Sequence, residues 1–530
     1  MKKYFLLVFL AINSFLVYAQ VKQGEILIGG TGDDIGSSII QTNDGGYAIV
    51  GYTDSYGAGN YDVYVIKLNS KDSIQWTKTI GGTNDDEGSS IFQTSDDGYI
   101  ITGYTLSYVT FSGDYEIYII KLDFAGNLLW TKTISTGTGY QNLGYSIIET
   151  KDGGYSLTGS SEAGAWGPSM YTIRLDATGN IKWARSAGGT STWDQGNSII
   201  QNNKGGYVIA GTLSNQVGVI ELDSMGNNIW GKVIADRSFS TGNSIKQTKD
   251  KGYIIAGSTY YSDTTSFPND IYVIKLDSAG NVKWMKTVGG DSNDVGNSII
   301  QTLDGGYAIA GFTNSYGAGG YDVYVLKLDS VGNIIWTKTV GGKGNDYGNS
   351  IIQTNDGGYA IAGYTDSYGA GGYDVYVITL DSIGSLCSAT GSGGSITTID
   401  SGKISTAASS VDTASIEVID SGRASSGAAY NEICILEGID NISRLQSNIA
   451  IFPNPNNGVF TIQISNSQLQ IANSKIEIYN IIGERIFEET LRQAQGDNTI
   501  NLSNEAKGLY LYRLLTPEGK PLAQGKFIIQ

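Results

Sequence analysis

The feature that most constrains this chain is a sequence unit that recurs seven times between about residues 21 and 386. Each copy contains a Gly-Tyr pair followed by alternating apolar residues and another glycine. The tyrosines of the seven copies are Tyr47, Tyr99, Tyr155, Tyr207, Tyr253, Tyr307 and Tyr359. A regular period of this length is typical of repeat architectures, in which each unit buries its apolar surface against its neighbours.

One full copy, residues 296–342, shows how the unit divides. Its sequence, GNSIIQTLDGGYAIAGFTNSYGAGGYDVYVLKLDSVGNIIWTKTVGG, contains four alternating apolar stretches separated by turns rich in Asp, Asn and Gly. Such turns join antiparallel strands tightly, because glycine accepts a positive φ. Four strands in about 50 residues form one blade of a propeller. We therefore predict an all-β chain with a seven-bladed β-propeller.

Tryptophan shows how the ring closes. The fourth strand carries a tryptophan in only six copies, at Trp76, Trp130, Trp183, Trp230, Trp284 and Trp336. The segment QGEILIGG at 23–30 aligns with WTKTIGG at 76–82, so a strand near Ile26 is expected to complete the seventh blade. Closure in this way pairs otherwise open sheet edges and is favoured over an open solenoid. A tryptophan repeated at one strand position indicates packing between blades more than sugar stacking.

The first 19 residues have the pattern of a signal peptide. Lys2 and Lys3 precede an apolar stretch from Phe5 to Val17, and small or apolar residues precede a cut after Ala19. A membrane anchor is the alternative, but Asn13 and Ser14 interrupt the apolar stretch, which is short for a bilayer. We therefore expect no membrane span after cleavage.

The C-terminal stretch, 447–530, contains short alternating segments separated by turn residues, which predict a small β-sandwich. Its motifs, in order, are PNPNNG at 453–458, IYNIIG at 478–483, GLY at 508–510 and KFIIQ at 526–530. This stretch resembles the C-terminal sorting domain of the type IX secretion system. The resemblance implies handling by the type IX machinery and a secreted or outer-membrane cell-surface location. The terminal Gln530 departs from the basic residue common in that family.

These segments give the expected domain organisation. A signal peptide (1–19) precedes the propeller (20–387), a spacer rich in Ser, Gly and Thr (388–446) and the sorting domain (447–530). The spacer is either a linker or a small β-rich segment. Cys387 and Cys434 bracket most of it, and a disulfide between them would suit an extracellular protein.

Composition excludes several classes of function. Lys and Arg total 34 against 51 for Asp and Glu, a formal charge of −17, which disfavours nucleic acid and anionic lipid as partners. Cations or neutral sugars suit such a surface better. The chain has no histidine, so Ser-His-Asp triads are excluded and the commonest transition-metal ligand is missing.

An aspartate recurs two residues before the glycine that opens the first strand of most copies. It occurs as Asp34, Asp86, Asp194, Asp294 and Asp346, with Asn142 and Ser240 in the other two copies. Because the first strand of a blade is innermost, we expect these side chains to ring the mouth of the channel. Such oxygen ligands could hold Ca²⁺. The alternative is that they accept hydrogen bonds from turn amides.

Aromatic residues in the loops form the second candidate site. The motifs YTDSYGAGNYD (52–62), FTNSYGAGGYD (312–322) and YTDSYGAGGYD (364–374) belong to copies one, six and seven, which ring closure makes consecutive. Tyr56, Tyr316 and Tyr368 could therefore form one sugar-binding sector. Recent duplication without a shared task is the alternative. Trp166 and Trp193 lie outside the repeat pattern and are further candidates for ligand binding.

These features predict a non-catalytic binding or adhesion module that could bind surface glycans. An extracellular polysaccharide hydrolase is the alternative. It would need two carboxylates roughly 5 to 10 Å apart, but the loop acids repeat with the blades, whereas catalysis normally uses one distinct site. A pure surface scaffold is the third class left open, since fold alone does not define function.

Overall fold

The structure is a computed structural model. It describes residues 18–22, 24–109, 113–135, 141–162, 168–188, 193–235, 239–260 and 268–385, and beyond these the strands named below with a few adjoining residues. These residues form strands and turns, and none of them belongs to a helix. In this described part of the chain, therefore, no helix is long and apolar enough to cross a membrane.

Two N-terminal strands precede the blades, β1 (Tyr18–Lys22) and β2 (Glu25–Gly29). Blade 1 contains β3 (Asp34–Gln41), β4 (Tyr47–Thr53), β5 (Asp62–Leu68) and β6 (Ile74–Ile80). Blade 2 contains β7 (Asp86–Gln93), β8 (Tyr99–Thr105), β9 (Glu116–Leu122) and β10 (Leu128–Ser135). Blade 3 contains β11 (Asn142–Glu149), β12 (Tyr155–Glu162), β13 (Pro168–Leu175) and β14 (Ile181–Ala187).

Blade 4 contains β15 (Gln195–Gln201), β16 (Tyr207–Leu213), β17 (Gln216–Leu222) and β18 (Asn228–Ala235). Blade 5 contains β19 (Phe239–Gln247), β20 (Tyr253–Tyr260), β21 (Asn269–Leu276) and β22 (Val282–Gly289). Blade 6 contains β23 (Asp294–Gln301), β24 (Tyr307–Thr313), β25 (Asp322–Leu328) and β26 (Ile334–Val340). The last copy supplies β27 (Asp346–Gln353), β28 (Tyr359–Thr365) and β29 (Asp374–Leu380).

The seventh blade is completed by the N-terminal strand, which confirms the predicted closure. Its sheet order is β1-β2-β29-β28-β27, with Ile26 opposite Val377 and Ile28 opposite Val375. The first strands of successive blades pack against one another around the whole ring, and β27 packs against β3. The Asn349 amide also donates to the Gly36 carbonyl at 2.9 Å, joining the last copy to the first.

The repeated tryptophans pack between blades, as predicted. Trp76 meets Tyr99 of the next blade edge-on, with ring centroids 5.9 Å apart, and the other five tryptophans contact the equivalent tyrosine in the same way. The Trp76 ring also lies over Gly126 (φ 75°), where an added Cβ would be 2.9 Å from the ring. A glycine there both forms the turn and admits the indole.

Short strands of the spacer add to the outer edges of five blades. They are β30 (Thr390–Gly391) on β26, β31 (Ser395–Ile399) on β22, β32 (Lys403–Thr406) on β18, β33 (Glu417–Ile419) on β10 and β34 (Ala424–Ser426) on β6. Blade 3 has four strands in the described structure. Cys387 and Cys434 lie outside the described residues, so their pairing stays a prediction.

The chain divides into two compact units, with the boundary after residue 433. The second unit consists of two antiparallel sheets, ordered β35-β36-β39 and β38-β37-β40-β41. Its strands are β35 (Ile449–Phe452), β36 (Val459–Ile464), β37 (Lys475–Tyr479), β38 (Arg485–Thr490), β39 (Gly496–Asn501), β40 (Gly508–Leu515) and β41 (Pro521–Ile529). This arrangement agrees with the predicted β-sandwich.

Candidate functional site

The five repeated aspartates are buried and fasten loops. The Asp34 carboxylate accepts hydrogen bonds from the Gly30 amide (2.7 Å), the Ser55 hydroxyl (2.7 Å) and the Thr53 hydroxyl. Asp86, Asp294 and Asp346 likewise accept from a glycine amide and from a serine or threonine hydroxyl, and Asp194 accepts from the Ser214 amide. All five side chains are 0 or 1% exposed. They are therefore enclosed by their loops and do not open onto the channel mouth as expected. In Asp294 and Asp346 the second carboxylate oxygen is buried without a hydrogen-bond partner among the described residues.

Four of these aspartates are paired with a second acid across a blade junction. Asp34 lies beside Asp374, and any side chain added at Gly29 would collide with both carboxylates. The other pairs are Asp62 with Asp86, Asp270 with Asp294 and Asp322 with Asp346. Burial raises the pKa of Asp34, Asp62, Asp322 and Asp374 to about 6. The described residues contain no group of three acids, histidines or cysteines that could hold a metal, so calcium binding stays a prediction.

The three loop tyrosines pack their rings against their own blades and donate their hydroxyls to the preceding blade. The Tyr56 hydroxyl donates to the Gly29 carbonyl at 2.7 Å, and its ring lies against buried Tyr64 with centroids 5.8 Å apart. Tyr316 and Tyr368 repeat both contacts, and so does Tyr108 of blade 2. Each ring is half-buried. Their structural role is therefore clear, whereas their role in binding stays a prediction.

A larger aromatic surface, which the sequence reasoning missed, runs along the same edge of four consecutive blades. We call it the aromatic rim. It consists of nine half-buried side chains: Phe312, Tyr321, Tyr347, Tyr364, Tyr373, Tyr52, Tyr61, Tyr104 and Tyr115. Four of them occupy the penultimate position of the second strand, and four precede the third strand. These are the first and last aromatic positions of the motif at 52–62, whose middle tyrosine is the packing residue.

Ring contacts make the rim continuous across blades 6 and 7. Tyr347 stacks on Tyr364 with centroids 4.6 Å apart and meets Phe312 edge-on at 5.0 Å. Tyr364 in turn meets Tyr373 at 5.1 Å. In blades 1 and 2 the same two positions form the pairs Tyr52–Tyr61 and Tyr104–Tyr115. The equivalents of Tyr364 in blades 3 to 5 are Ser160, Thr212 and Ser258, so the rim covers only part of the ring.

Carboxylates accompany the rim tyrosines. Glu87 accepts a 2.5 Å hydrogen bond from the Tyr104 hydroxyl, and Asp33 accepts one of 3.3 Å from Tyr61. Burial, together with Asp33, raises the pKa of Tyr61 to about 12, and burial with the neighbouring tyrosines does the same for Tyr347. The phenols therefore stay protonated near neutral pH. The rim offers aromatic faces, hydroxyl donors and carboxylate acceptors, which suit a neutral polyol.

The two tryptophans singled out from the sequence differ in what the structure shows. Trp193 is 67% exposed and occupies the position in blade 4 that Asp33 occupies in blade 1. It therefore lies on the same edge of the ring as the aromatic rim. Trp166 lies outside the described residues, and its role stays a prediction.

Comparison with known proteins identifies the C-terminal unit. Residues 450–530 match the family described as "Secretion system C-terminal sorting domain". The chain therefore carries a type IX sorting domain, and the protein is secreted or lies at the cell surface. Comparison with curated protein sequences gives no match.

Several solved structures are similar in part. A protein of unknown function from Bacteroides caccae is 13% identical, with 54% of this chain and 92% of that chain covered and a TM-score of 0.35. Sqt1 from Chaetomium thermophilum is 11% identical, with coverages of 62% and 80% and a TM-score of 0.38. PorZ from Porphyromonas gingivalis, a surface component of the type IX secretion system, is 9% identical, with coverages of 96% and 75% and a TM-score of 0.36.

Proposed function

We propose that the propeller is a non-catalytic binding or adhesion module that takes neutral saccharides on the aromatic rim. The observation that carries this proposal is the continuity of the rim, from the Phe312–Tyr347 contact through the stacked Tyr364. Sugars present both apolar C–H faces and hydroxyls, so an aromatic surface with interspersed carboxylates matches their chemistry. Export to the cell surface would bring this surface into contact with extracellular glycans.

The arrangement of acids supports binding over hydrolysis. A glycoside hydrolase needs one accessible pair of carboxylates at the sugar. The acids of the pairs described above are nearly fully buried, except for the half-buried Asp270. The pairs recur at four junctions, and the hydrogen bonds seen at Asp34 hold its carboxylate in place. The alternative, an extracellular polysaccharide hydrolase, would therefore have to use rim acids such as Glu87 or Asp33.

The N-terminal segment completes the proposed export route. Residues 1–19 would direct passage across the inner membrane and be cut after Ala19, and the type IX machinery would then recognise the sorting domain. Gln20 to Lys22, the part of β1 beyond the proposed cut, would remain paired with the closing strand β2.

A glycan array probed with the full mature chain, with and without calcium, tests the proposed function. We expect neutral glycans to bind, and the double variant Tyr347→Val with Tyr364→Ser to lose that binding. Both replacements copy residues that other blades carry at these positions, Val295 and Ser160, so the fold should tolerate them. An array without neutral hits would contradict the proposal. Release of smaller sugars from a bound glycan would instead favour the hydrolase.

A further inference from the structure

A basic pocket lies between blades 3 and 4, on the edge of the ring opposite the aromatic rim. Its volume is about 560 Å³, within the range of small-molecule sites. Four cationic side chains line it, together with a single acid, Asp152. The cations are Lys151, Arg174, Lys182 and Arg185. In a protein with a net charge of −17, this is a local excess of positive charge.

Only part of this charge is neutralised within the protein. Arg174 is buried and forms an ion pair with Asp152, and it also donates to the Tyr155 carbonyl. Lys182 is 50% exposed and lies 3.4 Å from the same carboxylate. Lys151 makes contacts of only 3.4 and 3.5 Å, both to backbone carbonyls. One carboxylate therefore serves several cations, and the pocket keeps a net positive charge.

The Arg185 side chain is fixed by backbone carbonyls and by the Trp183 ring. Its guanidinium donates to the carbonyls of Gly226 (2.9 Å), Ala184 (2.8 Å) and Met225 (3.2 Å), and it lies 5.4 Å from the centre of the Trp183 ring. These contacts fix the group without cancelling its charge. A preorganised guanidinium loses less conformational freedom when it binds a carboxylate.

Comparison with other blades shows that the extra charge is not part of the blade framework. The equivalent four positions hold Asn43, Lys67, Gln75 and Lys78 in blade 1, and Leu303, Lys327, Ile335 and Lys338 in blade 6. The lysine at the position of Arg174 recurs because it pairs with a turn aspartate. Lys151 contacts backbone carbonyls, and Lys182 is a second cation on the carboxylate that Arg174 already pairs. Blade 5 repeats the full set, with Lys249, Lys275, Lys283 and Lys286 around Asp250.

We infer that the basic pocket binds an acidic oligosaccharide through the carboxylates of its uronic acid units. Lys151 in the turn before β12, and Lys182 and Arg185 on β14, are separate cations that fit a ligand with several spaced single charges. Ammonium and guanidinium groups form strong charge-assisted hydrogen bonds with carboxylates. The repeat of the charge set in blade 5 suits a polymer. The protein's overall negative charge does not prevent this, because salt screens distant charges beyond about 8 Å.

This inference goes beyond the proposed function, since it concerns the opposite edge of the ring and the opposite ligand charge. It is tested by calorimetric titration of the mature full-length protein with trigalacturonic acid. The comparators are its neutral methyl ester, a sulfated trisaccharide and a short single-stranded DNA. We expect trigalacturonic acid to bind best and salt to weaken the binding.

Two variants locate the site. Lys151→Asn with Lys182→Gln, the residues of blade 1, should weaken binding at least about tenfold, as expected for the loss of charge-assisted hydrogen bonds. Lys71→Gln with Lys338→Gln removes the same charge from other blades and should change affinity less than about twofold. Tyr347→Val with Tyr364→Ser should leave this binding intact, which separates it from the proposed function.

Several results would overturn the inference. They are equal binding of the neutral ester, tighter binding of the sulfated sugar or of DNA, and unchanged affinity in the Lys151 and Lys182 variant. Equal weakening by the Lys71 and Lys338 variant would also overturn it, because the attraction would then be general rather than local.

Discussion

Two arcs of the same ring carry different surfaces. Blades 6, 7, 1 and 2, the duplicated arc, share the aromatic rim and have acid pairs at the junctions between them. Blades 3, 4 and 5, the divergent arc, replace the rim tyrosine with Ser160, Thr212 and Ser258, and blades 3 and 5 gather cations on the opposite edge. The loops and the strand ends therefore differ between the two arcs, whereas the four-stranded blade is retained in both.

The retained framework is visible in both arcs. The tryptophan-to-tyrosine contact joins blades 1 and 2 and equally blades 4 and 5. A buried cation at the end of the third strand pairs with a turn aspartate in five blades, as in Lys67–Asp44 (2.9 Å). In blade 4 Glu221 replaces the buried cation and accepts from Asn202, and Lys204 replaces the turn aspartate. A buried charge needs a fixed partner, so the pair changes together.

The largest expected effect concerns the closure of the ring, where the N-terminal strand β2 pairs with β29 of the last copy. Ile28 is fully buried against Val375 and Val377, and Gly24 takes the place of the tryptophan there. Ile28→Ala should lower the free energy of unfolding by about 2–5 kcal/mol, measured by denaturant titration. The matched variant in the divergent arc is Ile234→Ala, whose side chain is also fully buried. We expect Ile234→Ala to lower the free energy of unfolding no more than Ile28→Ala does. A clearly larger loss in Ile234→Ala would contradict the expectation that the ring closure is the more sensitive place.

The second effect concerns the ligand of the rim. On the best neutral glycan of the array, Tyr347→Val with Tyr364→Ser should weaken binding at least about tenfold, as expected for the loss of two aromatic contacts. Trp193→Ala, the exposed aromatic of the divergent arc, should weaken it less than about threefold. Titration of both variants with the same glycan measures how much each one loses in affinity. If Trp193→Ala abolishes binding, the ligand extends across the mouth of the propeller channel and contacts both arcs.

The third effect is on pH dependence. Acids of the junction pairs have a folded pKa near 6, above the ordinary 3.8, so their stabilisation is complete below about pH 4 and lost as pH rises through 6. The turn aspartates Asp44, Asp96 and Asp304, in hydrogen bonds with buried lysines, have a pKa near 2. Their stabilisation is present above about pH 4 and lost as pH falls through 2.

Stability should therefore be greatest near pH 4 to 5 and fall towards pH 7, as followed by melting temperature. Asp86→Asn with Asp346→Asn, which copies Asn142 of blade 3, should reduce the fall by on the order of 1 kcal/mol for each pair. If the double variant loses as much stability between pH 5 and 7 as the unsubstituted protein does, the junction acids do not control stability in this pH range.

The smallest expected effect is that of calcium. The calcium hypothesis predicts a higher melting temperature that replacement of Asp294 and Asp346 abolishes. Because a turn amide and a serine hydroxyl already occupy one oxygen of each of these buried carboxylates, we expect millimolar calcium to shift the melting temperature by less than about 1 °C. A larger shift that disappears in the Asp294→Asn and Asp346→Asn variant would restore the metal site.

Much of the fold was predictable because a repeat fixes many positions at once. Seven copies gave seven blades, and the missing tryptophan indicated the closing strand. The site was less predictable. Tyr56 and Tyr61 stand in the same motif, and only the packing shows that Tyr56 faces the core while Tyr61 faces the rim. The overall charge likewise gave no sign of the basic pocket, since its cations lie on different elements of blade 3 and the rest of its lining comes from blade 4.

The number of blades, the ring closure near Ile26 and the sorting domain follow from the sequence alone, because periodicity and local motifs are properties of neighbouring residues. The tertiary structure was needed to show which side chains share a surface. It showed that Asp34 is buried and accepts hydrogen bonds from its loops, and it placed Tyr347 against Tyr364 and Lys151 in one pocket with Arg185. The physical reason is that residues far apart in the chain become neighbours only when strands align into blades and blades into a ring.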